Sequence, residues 1–399
     1  MITALTNARV LLDHGFAEGR TVLLAEGKVL GVVAAAEAPQ AQRTVDLQGA
    51  TLVPGFIDTQ VNGGGGVLFN DSPTVEAIAC IGAAHRRFGT TGFLPTLISD
   101  DLEVVSEAIA AVDQAIAQGV PGVLGIHIEG PFLNVKRKGV HDASKFRPLD
   151  EAALPLLTRL ERGKTLVTLA PEKTRPAMVR ALVEAGVAVS AGHTNASYAT
   201  VRQALDAGLT GFTHLFNAMS PLATREPGVV GAALENRDAW CGIIVDGHHV
   251  DPVVLRLALR CRPLDRFLLV TDAMPCVGTD AESFMLQGRR ISVQNGVCVD
   301  EHGGLAGSDL DMASAVRNAV AMLRIDLADA ARMASLNPAA FLGLESRHGR
   351  IAPGWRADLV ALDSDLNVVS TWIGDEPSGD LASPADPTPM RGAARGPAE

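Results

Sequence analysis

Two patterns of apolar and polar positions divide the chain. Over residues 1 to about 53, apolar and polar positions alternate between turn signals. Leu5, Val10 and Leu12 mark one strand, Val22-Leu23-Leu24 a second, and Val29-Leu30-Gly31-Val32-Val33 a third. Glu26-Gly27 lies between the last two and predicts a hairpin within a small antiparallel β unit. From residue 54 the pattern changes to short, β-branched apolar runs separated by helix-like segments, as parallel strands with crossover helices require. The runs end near Phe56-Ile57-Asp58, Phe93-Leu94-Pro95-Thr96, Ile126-His127-Ile128-Glu129 and Val167-Thr168-Leu169-Ala170. They continue to Val189-Ser190-Ala191-Gly192-His193, Phe212-Thr213-His214, Ile243-Ile244-Val245-Asp246 and Leu268-Leu269-Val270-Thr271-Asp272. Helix punctuation falls between them. Asp100 with Glu103 resembles a capping box, Gly119 and Pro121 stop the same helix, and Ser72-Pro73 reads as a cap with proline at the first helical position.

Eight such units predict an α/β fold, a (β/α)8 TIM-like barrel over residues 54–344, with its working face at the C-terminal strand ends. A β signature returns at Gly349-Arg350-Ile351-Ala352-Pro353-Gly354 and runs on through Asp358-Leu359-Val360-Ala361-Leu362. It predicts a small β-sandwich domain built from 1–53 plus 345–374. Residues 375–399 are rich in Pro, Gly, Asp, Ser and Ala and predict a disordered tail. A doubly wound open sheet is the alternative. It does not call for polar groups at the ends of its strands, and the chain has no Gly-rich dinucleotide loop.

Composition narrows the partners. The 399 residues are 47% hydrophobic and 20% charged, as in a globular chain. A net charge of −11 argues against nucleic acid and anionic membranes, so an anionic ligand must meet a local positive cluster. No apolar run approaches the roughly 18 residues of a membrane span, and the N-terminus begins a strand pattern rather than a signal peptide, so a cytoplasmic address is expected. The five scattered cysteines predict buried free thiols.

A polar residue stands at or just past nearly every run: Gln60, Thr96, Glu129, Glu172, His193, His214, His249 and Asp272. On neighbouring barrel strands Glu129, His193 and His214 converge on one axial cavity. One carboxylate and two imidazoles suit Zn²⁺, Fe²⁺ or a similar ion, and leave a position for water. Asp272 reads either as a helix N-cap or as the group that accepts and returns the water proton. His127 shares the facing of Glu129 and is expected to support it by hydrogen bonding. His85, His248, His302 and His348 read as structural or surface residues. Gly63-Gly64-Gly65-Gly66 lacks the Lys-Ser/Thr of a phosphate loop and reads as a flexible loop over the cavity mouth.

Longer stretches add a resemblance. They include Pro54-Gly55-Phe56-Ile57-Asp58, Asn62 through Gly66, Gly125 through Phe132, and Ser190 through Thr194. Thr213 through Met219, Arg225-Glu226-Pro227-Gly228, Asp246 through Val250, Leu269 through Ala273 and Leu305 through Ser308 complete the set. In this order they resemble the N-acetylglucosamine-6-phosphate deacetylases of the amidohydrolase superfamily over roughly residues 1 to 365.

The resemblance implies a metal at Glu129, His193 and His214, with Asp272 as acid/base; in the chemistry that follows from this ligand set, His249 is a candidate donor to the oxygen on which charge develops. It implies substrate contacts at Val140, His141, Asn217, Ala218, Arg225, His249, Leu305, Ala306 and Gly307, and a homodimer in which Arg225 reaches the neighbouring site. Many superfamily members carry a His-x-His pair for a second metal after the first strand. Here that place reads Gln60-Val61-Asn62, so one divalent ion per chain is expected, zinc before iron. The expected reaction is hydrolysis of N-acetyl-D-glucosamine 6-phosphate to D-glucosamine 6-phosphate and acetate. The galactosamine isomer, another amidohydrolase activity and a metal-free scaffold barrel remain as alternatives. Lys136-Arg137-Lys138 is the densest positive stretch, and reads equally as a solvated loop or as a group that gathers the anion.

Overall fold

The computed structural model describes residues 1–378. The barrel strands are β1 (Phe56–Val61), β2 (Thr90–Ile98), β3 (Gly125–Glu129), β4 (Lys164–Leu169), β5 (Ala188–Ala191), β6 (Gly211–Phe212), β7 (Trp240–Ile243) and β8 (Phe267–Leu269). Each lies beside its neighbour in chain order, and all pairs are parallel. A parallel bridge from Val61 to Ala273 closes the ring, and the Asp272 N–H donates to the Gln60 carbonyl at 3.0 Å. Every residue of β1, β2 and β3 is buried, since side chains fill the barrel on one face and meet helices on the other. The continuous apolar runs reflect that double burial.

The helix following β7, Pro252–Cys261, shows how the outer layer forms. Asp251 caps it by accepting from the Val253 N–H, proline occupies its first turn, and Leu255 and Ala258 turn inward. Two expected caps shift. Thr74, not Ser72, caps the helix Val75–Arg86 by accepting from the Ala77 N–H. The helix Leu102–Ala117 starts after Asp101, because Asp100 turns its carboxylate to Asn70 and to the Asp101 N–H.

Both ends of the chain share one sheet. The strand Thr51–Pro54 pairs antiparallel with Leu359–Leu362 and, on its other side, parallel with Thr3–Leu12. Glu26 and Gly27 turn the hairpin between Gly15–Ala25 and Lys28–Ala34, both at positive φ. Leu5, Val22, Leu24, Leu52, Leu359 and Trp372 form a core separate from that of the barrel. Pairing continues past residue 374: Glu376–Pro377 joins Val368–Ile373, and the remainder of the expected tail lies outside the described residues.

A further four-stranded antiparallel sheet follows β8, over Ser283–Leu286, Arg289–Gln294, Val297–Val299 and Leu305–Ser308. Its buried face (Leu286, Ile291, Cys298, Ala306) packs on Leu68, Ile98, Val140 and Met274 at the barrel mouth. Gln287 accepts from the Asp142 N–H and donates to the Ser99 carbonyl, both at 2.9 Å, which ties this sheet to the loops after β3 and β2.

All five cysteines are free. Cys241, Cys276 and Cys298 are buried as expected, but Cys80 and Cys261 are exposed on the outer sides of their helices. No described helix is long and apolar enough to cross a membrane.

Candidate active site

Glu129 ends β3, and His193, His214 and Asp272 stand just beyond β5, β6 and β8. The backbone of His193, His214 and Asp272 is left-handed, with φ of 47°, 33° and 54°. Each such non-glycine conformation costs about 1–3 kcal/mol and persists only where the surroundings enforce it. The turns aim all of these side chains at the barrel axis. Gly192 permits the approach at His193, since a Cβ there would lie 2.5 Å from Thr168 Cγ2.

Glu129 Oε1 lies 3.0 Å from His214 Nε2 and 3.3 Å from His193 Nε2, and the two imidazole nitrogens are 3.1 Å apart. Donor atoms around a tetrahedral zinc, at about 2.0–2.2 Å from it, stand roughly 3.3 Å from one another. The protonation pattern points the same way. His193 Nδ1 donates to the Arg137 carbonyl at 2.8 Å, which leaves Nε2 of the neutral ring as a bare lone pair beside a carboxylate oxygen. Two acceptors at that distance repel unless a cation or a further proton lies between them. The donor set therefore fits a divalent ion, and these residues form a buried cluster able to hold one.

Burial would raise the Glu129 carboxyl, but the His193 and His214 hydrogen bonds and charges hold it well below the usual range. Burial would lower His214, and Glu129 and Asp272 together raise it instead. Asp272 is pushed up by burial and by the Glu129 charge, against the opposing pull of His214, His249 and Asn62.

Gln60 and Asn62 take positions among the carboxylates. Asn62 Nδ2 donates to Asp272 Oδ1 at 2.7 Å, and Gln60 Nε2 reaches both Asp272 Oδ1 at 3.1 Å and Glu129 Oε1 at 3.2 Å. Asn62 Oδ1 is buried without a partner. Amide N–H groups thus soften the repulsion between two carboxylates that a second cation would otherwise neutralise.

Above this centre a cavity of about 160 Å³ is lined by Asn62, Glu129, Val140, His141, His193, His214, Asn217, Ala218, His249, Asp272, Leu305 and Gly307, among others. His141 Nδ1 faces Ser99 Oγ at 2.9 Å and accepts the Ser99 N–H at 3.3 Å, so its Nε2 carries the ring proton. Burial and the neighbouring His193 keep that ring well below its usual pKa. Two expected contacts stand apart from the cavity. Arg225 is exposed on the loop before the helix Gly228–Glu235, and the Ala306 side chain is buried in the core beneath the four-stranded sheet. His127 lies beside the Glu129, His193 and His214 cluster, hydrogen-bonded to Thr168 Oγ1 at 2.8 Å and Thr96 Oγ1 at 3.2 Å. The expected flexible loop is instead a packed hairpin. Gly63 and Gly64 are buried, and a Cβ on Gly64 would lie 2.8 Å from the His85 ring.

Sequence reasoning missed Ser99, Asp246 and the Arg137 carbonyl, which position histidines without being unusual in type or spacing. It also missed the four-stranded sheet, although Asn295-Gly296 between two alternating runs is a strong hairpin signal.

Residues 51–384 match the amidohydrolase family. The chain belongs to that family. This amidohydrolase is 44% identical to N-acetylgalactosamine-6-phosphate deacetylase of Shewanella sp. (strain ANA-3), over 92% of this chain and 94% of the relative. It is 35% identical to N-acetylglucosamine-6-phosphate deacetylase of Haemophilus influenzae, over 93% and 97%. Among solved structures, N-acetylglucosamine-6-phosphate deacetylase from Pasteurella multocida superposes with a TM-score of 0.92 at 35% identity, covering 95% of this chain and all of that one. A mutant of the Mycobacterium smegmatis enzyme in complex with N-acetyl-D-glucosamine 6-phosphate gives 0.85 at 34% identity, over 94% and 98%. The amidohydrolase is a metal-dependent hydrolase on a TIM-like barrel, and its Glu129, His193 and His214 cluster suits the divalent ion such enzymes use.

Proposed function

We propose that this amidohydrolase removes the acetyl group from an N-acetylhexosamine 6-phosphate, releasing acetate and the free amino sugar phosphate. The observation that carries this reading is the convergence of Glu129, His193 and His214 within 3.3 Å of one another, with Asp272 held beside them by Gln60 and Asn62. N-acetyl-D-glucosamine 6-phosphate is the substrate favoured by the motifs and by the solved neighbours. The galactosamine isomer is the second reading, favoured by the 44% identity to a deacetylase named for it.

Glu129, His193 and His214 would hold one divalent ion, zinc before iron. When bound, such an ion lowers the pKa of water to about 7 and polarises an acyl oxygen. Asp272 accepts the proton of the attacking water. It then returns that proton to the amide nitrogen, because a neutral amine leaves far more readily than an amide anion. Its raised pKa suits a group that must carry the proton between the two transfers. His249 donates to the oxygen on which charge develops. His141 presents an Nε2–H to the sugar, and Asn217, Ala218, Leu305 and Gly307 border the ring. The Ala306 contribution is a backbone one. Exposed Arg225, which makes no ion pair among the described residues, suits the substrate phosphate of a partner's site in a homodimer. A cytoplasmic address suits a sugar phosphate too polar to cross a bilayer unaided.

The test is acetate release from both isomeric N-acetylhexosamine 6-phosphates, with and without chelator, alongside the metal content of the same protein. Activity that tracks about one equivalent of metal supports the assignment. Two full equivalents, or activity unaffected by chelator, refutes it.

A further inference from the structure

Beyond the strand end of β7, Asp246 lies outside the set of residues so far given a role. Its Oδ1 accepts the backbone N–H groups of His248 at 2.8 Å and His249 at 2.9 Å, and its Oδ2 meets His249 Nδ1 at 2.6 Å. Both side chains are 7% exposed. Gly247 between them has φ of 79°, and the Val245 carbonyl accepts from Asn318 Nδ2 at 2.8 Å. The two backbone donors and the ring nitrogen together engage both oxygens of Asp246. Burial would raise its carboxyl, but the His249 hydrogen bond and charge and the two backbone donors bring it down to about 2. It remains a carboxylate, able only to accept.

This assigns the proton on Nδ1. Nε2 is the ring's other polar atom, and it has no hydrogen-bond partner among the described residues on a ring that borders the same cavity as Asp272. With Nδ1–H committed to Asp246, Nε2 can donate to an acyl oxygen only when it carries the second ring proton.

We propose that Asp246 is a positioning residue for hydrolysis, which holds His249 by Nδ1 and so fixes the direction in which Nε2 faces the cavity. A group held in place before reaction contributes most where the reacting atoms are aligned, in the transition state. The inference rests on the deacetylase reading and deepens it.

The test compares wild type, Asp246→Asn, His249→Asn and the double variant as full-length, metal-loaded enzyme. The substrate is whichever N-acetylhexosamine 6-phosphate isomer the wild type hydrolyses. Asp246→Asn keeps the acceptor for the two backbone N–H groups but removes the charge. It is expected to lower kcat about 10–100-fold with KM changed less than about threefold. In the His249→Asn background the same change should cost nothing further. Histidine-selective ¹⁵N labelling, with the His249 signals assigned by their loss in His249→Asn, should show the proton on Nδ1 in wild type and moved off Nδ1 in Asp246→Asn, whose side-chain NH₂ then faces that atom. Multiplying losses, a wild-type ring with bare Nδ1, or unchanged kcat in Asp246→Asn beside an impaired His249→Asn overturns the positioning role alone. Full activity in His249→Asn overturns the role of His249 and the proposal with it, while no acetate release by the wild type means that the deacetylase reading itself has failed.

Discussion

Replacing Asp272 by asparagine separates proton transfer from metal binding. Asp272 Oδ1 accepts from Asn62 Nδ2 and Gln60 Nε2, and an asparagine side chain satisfies both donors only with its carbonyl oxygen in the same place. Its NH₂ then faces the cavity, where a proton acceptor is needed. The substitution is nearly isosteric and leaves Glu129, His193 and His214 untouched, so metal occupancy should hold. A positioned acid or base contributes typically about 10²–10⁴-fold. In the proposed reaction one carboxylate serves both transfers, so a kcat loss of about 10³–10⁴-fold is expected, roughly 4–5.5 kcal/mol at about 1.36 kcal/mol per decade. KM should change little. The assay is steady-state acetate release, with metal content measured on the same preparation. A fully loaded variant within about tenfold of wild-type kcat would refute the reasoning, and so would loss of the metal together with the activity.

Gly192→Ala places a Cβ 2.5 Å from Thr168 Cγ2 and 3.0 Å from Thr213 Cβ, so the strain, about 1–3 kcal/mol, falls on the turn that aims His193. Metal occupancy and activity should drop together, and retention of both contradicts the expectation. Arg225→Ala should raise KM for the phosphorylated sugar at least about tenfold and leave the unphosphorylated one nearly unchanged; equal effects argue against a phosphate contact. Asp358 accepts from His348 Nδ1 and Arg356 Nε, each at 3.1 Å, and from the Gly374 N–H at 2.8 Å. Burial would raise its carboxyl, yet His348 and Arg356 bring it below the usual value. A carboxyl lowered on folding contributes stability above its unfolded value of about 3.9, and that contribution fades as pH falls through the folded value. Asp358→Asn should therefore cost about 1–3 kcal/mol at pH 7, with a melting difference that shrinks below about pH 4. A pH-independent difference rejects the assignment.

The barrel was legible because its strands are buried on two sides. Val167-Thr168-Leu169 or Leu268-Leu269-Val270 can be little else between helix signals, and the functional groups follow at one structural level. Caps were less legible, because runs such as Ser72-Pro73-Thr74 and Asp100-Asp101 offer two competent side chains and tertiary partners choose between them. The Glu129, His193 and His214 cluster, able to hold a metal ion, could be read by residue type. The groups that orient the site's histidines could not: the Arg137 backbone carbonyl at His193 and Ser99 at His141 acquire their roles only from loop geometry. Four glycines in a row suggested mobility, whereas Gly63 and Gly64 are small because the His85 ring and the Val67 carbonyl leave no space for a Cβ.

The pairing of Thr51–Pro54 with Leu359–Leu362 has a consequence for synthesis. As the polypeptide leaves the ribosome, all eight barrel strands emerge before the antiparallel partner of Thr51–Pro54 does, although its parallel neighbour Thr3–Leu12 is already out. During that interval an unsatisfied, apolar edge containing Leu52 and Val53 is presented to other nascent chains, a template for association. Messages that stall between the codons for β8 and Leu359 should therefore yield aggregating products, while chains that reach residue 362 seal the edge.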